Sequence, residues 1–163
     1  MSLQHGRIKV IDRGFDAFIL QLKELDRTPI TIGVHSDVGA DTYIESGNTV
    51  AEVAYRNEMG DPARHVPERS FLRSTAENKK RAWKKEARRL MKTTRKKHFN
   101  SKKFLEDMGE VAKKDVKKTI WSMRTPSNDP RYVKRVKPHV GNNPLINTLK
   151  LWRAIDFKIR GIL

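Results

Sequence analysis

Three kinds of side chain in this sequence are candidates for chemistry: single histidines, neighbouring carboxylates and a dense run of lysine and arginine. The five histidines, His5, His35, His65, His98 and His139, stand apart, none at metal-ligand spacing from another histidine or a carboxylate, so no metal site is expected. With no cysteine there is no thiolate ligand, no cysteine nucleophile and no disulfide framework. Gly39 and Gly47 are too far apart to cradle a phosphate and no Gly-Lys-Ser/Thr follows them, so nucleotide hydrolysis lacks its machinery. The carboxylate pairs Glu106 with Asp107 and Asp12 with Asp16 fall on amphipathic segments, where such residues are solvated or cap helices. No enzyme activity, cofactor or small-molecule substrate is expected, and a metal-dependent nuclease has no ligand set to build on.

The basic run is the strong signal. Over residues 78–103 there are thirteen lysines and arginines and one acid, Glu86, so this segment holds twelve of the sixteen net positive charges of the 163-residue chain. Such a surface neutralises phosphates without reading bases, giving salt-dependent and sequence-tolerant binding. The alternative is a solvated helical face, but twelve charges exceed what solubility needs. The residues expected to face DNA or an acidic protein partner are Lys79, Lys80, Arg81, Lys84, Lys85, Arg88, Arg89, Lys92, Arg95, Lys96 and Lys97. Trp83, Ala87, Leu90 and Met91 keep helical spacing within the run, so one face is expected to pack while the basic faces meet water or phosphate. Stacking of Trp83 and Phe99 on bases is the alternative to that packing.

The elements that must position this face read as one α+β domain. A small antiparallel or mixed sheet is packed by amphipathic helices, with a core over 7–73 and 101–160, a basic helical arm over 74–103 and a long loop over 124–143. Alternation predicts a strand over 7–12 and another over 29–35, in which Gly33 marks a bulge or a close backbone approach. Phe15, Phe18, Ile19, Leu22 and Leu25 predict an amphipathic helix between them. Residues 36–48 read as a loop. Thr49 with Glu52 predicts a capping box for a helix ending at Gly60, after which an exposed loop leads to Pro67, expected as the first residue of the next helix. Phe71 and Leu72 are expected as buried anchors. A further helix is predicted from Ser101, as N-cap, to about 123, with an apolar stripe including Phe104, Met108, Val116, Ile120 and Trp121. A short helix capped by Asn147 or Thr148 and a last strand over 156–160 close the chain. There is no signal-peptide run and no stretch near the roughly 20 apolar residues needed to span a bilayer, so a protein soluble when made, without membrane contact, is expected.

Two stretches resemble a known family. Val50-Ala51-Glu52-Val53-Ala54-Tyr55-Arg56-Asn57-Glu58-Met59-Gly60, followed by Val66-Pro67-Glu68-Arg69-Ser70-Phe71-Leu72-Arg73-Ser74, is similar to a signature of small tailed-bacteriophage morphogenesis proteins, which act in head-tail joining, the neck or tail completion. Asn143-Pro144-Leu145-Ile146-Asn147-Thr148, leading into Leu151-Trp152-Arg153-Ala154-Ile155, is similar to that family's motif before its closing strand. Matching motif positions are Asn57, Glu58, Gly60, Pro67, Arg69, Phe71, Leu72, Arg73, Pro144, Leu145, Ile146 and Thr148. Ser70, Asn147 and Leu149 depart from it, standing where the family has proline, aspartate and glycine. The resemblance implies a structural virion protein made in the host bacterial cytoplasm. It would form a hexameric or dodecameric ring at the head-tail junction, as neck, tail-completion or tail-terminator layer, against neighbouring connector, collar or tail proteins and around packaged double-stranded DNA. The motif residues would then be structural, with ion pairs among Arg56, Glu58, Glu68, Arg69 and Arg73 fixing the corner. A free, non-specific nucleic-acid-binding protein using the basic helix is the alternative function.

Overall fold

The computed structural model describes residues 14–44, 46–95, 99–136 and 143–160. The expected strand over 7–12 and the side chains of Arg95, Lys96 and Lys97 lie outside what is described. The fold is α+β. Helix α1 (Phe15–Arg27) leads into strand β1 (Ile30–Val34); a single turn, α2 (Ser36–Gly39), and α3 (Val50–Met59) follow. Two long helices, α4 (Phe71–Arg95) and α5 (Ser101–Ser122), precede the short α6 (Pro130–Val136) and α7 (Lys150–Ala154), and β2 (Ile155–Ile159) ends the fold. β1 and β2 pair antiparallel from Ile30↔Ile159 to Val34↔Ile155. The register runs unbroken through Gly33, so that glycine marks no bulge, and Leu72 packs over it at ordinary distance.

Apolar residues at helical and strand spacing converge on one core. Val50 and Ala54 of α3, Phe71 of α4, Val116 and Ile120 of α5, Leu145 and Ile146 of the preceding turn, and Leu151, Ala154 and Ile155 are all buried there. Helix α5 packs against both strands, and Gly109 is what lets it approach β2: a Cβ at that position would sit 2.3 Å from the Phe157 ring. Gly109→Ala therefore forces the ring or the helix aside. We expect overpacking of about 1–3 kcal/mol, offset by about 1 kcal/mol of helix propensity, measurable as an earlier urea midpoint at unchanged slope.

The capping box of α3 forms as the sequence predicts. Glu52 N–H donates to Thr49 Oγ1 at 3.1 Å and Thr49 N–H donates to the Glu52 carboxylate at 2.8 Å. These bonds to Thr49, backbone first, hold the Glu52 carboxyl below its ordinary 4.5. Because the folded value is depressed, the stabilisation is complete above the ordinary value and is lost as pH falls through the folded one. Thr49→Ala should cost about 1 kcal/mol at neutral pH and a smaller amount in acid, read from urea melts at both.

Three expected helix starts differ. α4 begins at Phe71, not Pro67. Residues 67–70 are non-helical because Arg69 N–H is spent on Asn57 O at 2.6 Å, and the first α4 amides are instead capped by the Glu58 carboxylate, which accepts from Leu72 N–H at 2.8 Å and Arg73 N–H at 3.0 Å. α5 is capped by Asn100, whose Oδ1 accepts from Lys103 N–H at 2.8 Å. Ser101 is buried and inside the helix, its N–H donating to Gln21 Oε1 at 2.8 Å and its hydroxyl bonded to Glu24, which ties α1 to α5. α7 has Leu149 at its N-cap in the left-handed region (φ 62°), with no side-chain cap, and the packing of Leu149 on the core offsets that strain. The long loop is also less irregular than expected, since Pro130 initiates α6.

Candidate interface surfaces

The basic helix lies back on the fold. Thr75 Oγ1 bonds Thr119 Oγ1 at 2.6 Å and Trp83 Nε1 donates to Asp115 Oδ2 at 2.8 Å, which sets α4 antiparallel along α5. Trp83 is thus a packing residue. Phe99 is as well, its ring 5.7 Å from Phe18 and 5.9 Å from Phe104, so the base-stacking alternative gives way at both positions.

At about 3.6 residues per turn, Arg81, Lys84, Lys85, Arg88 and Lys92 fall about 100–180° around α4 from Trp83, and Lys80 flanks that indole one turn earlier. All six are exposed, and among the described residues none is in an ion pair. The other described candidates differ: Lys79 is half-buried 3.9 Å from Asp115, and Arg89 is held by Glu86 at 2.5 Å, which raises the Arg89 pKa and lowers that of Glu86. The free positive face is therefore narrower than the sequence run. From Lys80 to Lys92 it spans about 18 Å of helix.

The corner between α3 and α4 is a buried polar clamp. Arg69 is only 4% exposed. Its Nη1 donates to Asn57 Oδ1 at 2.9 Å, its Nε to Pro126 O at 2.8 Å, and its Nη2 to Ser127 O and Asn128 Oδ1, both at 2.9 Å. Asn128 Nδ2 in turn reaches Pro144 O at 3.4 Å. Asn143 closes the other side, its Nδ2 donating to Trp121 O at 2.8 Å and its Oδ1 accepting from Leu145 N–H at 3.0 Å. Glu58, 8% exposed, pairs with Arg73 at 3.2 Å, and Arg73 also meets Glu68 at 2.8 Å. The expected ion-pair cluster is thus divided: Glu58, Glu68 and Arg73 form one group, Arg56 lies 3.7 Å from Asp61, and Arg69 serves the loop carbonyls and amides. Gly60 takes φ 77° with Glu68 N 3.1 Å from where its Cβ would be, so the turn into this corner needs glycine. Phe71 is fully buried beneath it.

A second surface was not legible as a site. Between α5 and α7 an open cleft of about 540 Å³ is lined by Val111, Lys114, Lys117, Lys118, Trp121 and Trp152. Trp121, expected in the apolar stripe, is 56% exposed. Its ring meets that of Trp152 edge-on at 6.4 Å, and Lys117 Nζ lies 4.7 Å from the Trp152 ring centre. Burial, then the nearby Lys113 charge, push the Lys117 pKa down. Lys113 is held by Glu110 at 2.6 Å and Asp156 at 3.2 Å, which raises its own. The signal in the sequence was Lys117 four residues before Trp121, a spacing that places both on one helix face.

Among the described residues no group of three or more histidines and carboxylates could hold a metal ion, and no helix is long and apolar enough to cross a membrane. Comparisons with family models, with curated proteins and with solved structures gave no match.

Proposed function

We propose that this chain is a structural virion protein of a tailed bacteriophage, a subunit of a ring at the head-tail junction. The role is architectural, not catalytic. The observation that carries the reading is the joining of the two family-like stretches in space. Arg69 of the first holds Asn128, and Asn128 reaches Pro144 of the second. Residues far apart in sequence that share a signature thereby serve one rigid corner, as a subunit built to assemble without rearranging would need. The free basic face of α4 then supplies the surface toward packaged double-stranded DNA or an acidic neighbouring ring.

The reading as a free nucleic-acid-binding protein draws on that same face alone and leaves the buried corner without a purpose beyond stability. The two separate in an assembly experiment. In a phage that encodes this chain, its removal should leave DNA-filled heads and finished tails unjoined, with complementation restoring particles. Normal particle yield without the chain would refute the structural role.

A further inference from the structure

We infer that the cleft between α5 and α7 receives the loop around Ile44 of a second copy of this chain. This rests on the ring-subunit reading and names the contact by which copies join. Ile44 is 97% exposed, the most exposed large apolar side chain among the described residues. It sits at the tip of a loop that is already closed: Tyr43 N–H donates to Asn48 O at 2.9 Å, Gly47 N–H to Tyr43 O at 2.8 Å, and Thr42 bridges Thr49. Lys150 steadies the base, its Nζ donating to Thr42 O at 2.6 Å and lying 5.6 Å from the Tyr43 ring centre. A preorganised loop with an apolar tip loses little entropy on docking.

Charge selects the partner. Residues 36–48 carry Asp37, Asp41 and Glu45 and no lysine or arginine, in a chain of net charge +16. Asp37 is engaged with Lys158 at 2.7 Å, whereas Asp41 is exposed and in no ion pair among the described residues. The cleft offers the complement: Glu110, the acid in its lining, is paired with Lys113, whereas Lys114 and Lys118 are exposed and in no ion pair among the described residues, beside Val111 and the two indoles. The indole planes meet at 65°, which leaves no parallel slot for a stacked base and suits a branched aliphatic side chain lying on lysine stems.

The contact is between copies. Lys150 and Trp152 are two residues apart on α7 and project about 200° from each other. Lys150 holds the loop, and Trp152 faces the cleft, its Nε1 donating to Lys117 O at 3.2 Å. A subunit therefore presents its loop on one side and its cleft on the other. Two different patches in contact make a head-to-tail interface, the kind that closes into rings.

The absence of cysteine makes the test direct. The full chain carrying both Ile44→Cys and Lys114→Cys, oxidised gently and run on a denaturing gel without reductant, should give a ladder extending past the dimer. A mixture of the two single variants should stop at the heterodimer. Both positions are exposed, so folding is retained, and circular dichroism checks it. Independently, Ile44→Lys should abolish assembly in sedimentation by placing a cation against the cleft lysines. Rings that persist in Ile44→Lys, with no ladder from the double variant, overturn this contact and leave the ring reading standing. Monomers at every concentration with no ladder overturn both. Quenching of Trp121 by a short single-stranded oligonucleotide, with no ladder, overturns it in favour of nucleic acid in the cleft.

Discussion

Arg69→Ala should lower the stability of the protein by about 3–5 kcal/mol, a fall in melting temperature of roughly 10 °C for a chain of this size. The guanidinium is buried and holds the carbonyls of Pro126 and Ser127 together with the amides of Asn57 and Asn128. Truncation strands those groups without partners, and the desolvation of each is then uncompensated. Arg69→Lys should recover little, because one ammonium cannot reproduce donors aimed in a planar fork at four acceptors, one on α3 and three in the loop over 126–128. A double-mutant cycle with Asn128→Ala should show coupling of about 1 kcal/mol or more, since the two side chains share one bond. Additive effects would mean that the clamp does not act as a unit.

That clamp also shows what the sequence could reveal. α3 was legible because its capping box, apolar spacing and terminal glycine are local signals, and β1 and β2 because alternation is local too. Arg69 was visible as a motif position, but its partners were not: Pro126, Ser127 and Asn128 lie 57 to 59 residues away in a loop with no periodicity. The same limit explains the start of α4. Pro67 is a good first residue for a helix by local rules, and Glu58, a carboxylate from the preceding helix, overrides them by capping at Phe71. The basic run was read correctly in composition and too broadly as a surface. Only α5, contributing Asp115, and Glu86 within the run itself decide that Lys79 and Arg89 are engaged, while the six other described candidates are in no ion pair. The Trp121–Trp152 cleft needed tertiary structure outright, because its two aromatic residues are 31 positions apart and each alone looks like core.

The second large effect concerns that free face. With six unpaired cations among the described residues of α4, binding to duplex DNA should weaken with a log–log salt slope of about five, close to a thousandfold between 50 and 200 mM salt. Replacing Lys84, Lys85, Arg88 and Lys92 together by glutamine should cut the slope to about two and the loss to about tenfold, with no sequence preference gained or lost. All four side chains are exposed and unpaired, so thermal stability should change little. An unchanged slope in the quadruple variant would move the DNA contact off α4. If DNA affinity falls but rings still form, the face looks toward the genome; if rings are lost as well, it is a subunit contact.

The most direct measurement for the central claim is electron cryomicroscopy of purified virions that contain this chain, focused on the head-tail junction. The account predicts a closed ring of copies there, with the α3–α4 corner rigid as described and the lysines of α4 turned toward the channel or an acidic neighbouring ring. Particles whose neck and tail top contain no copy of the chain would contradict it.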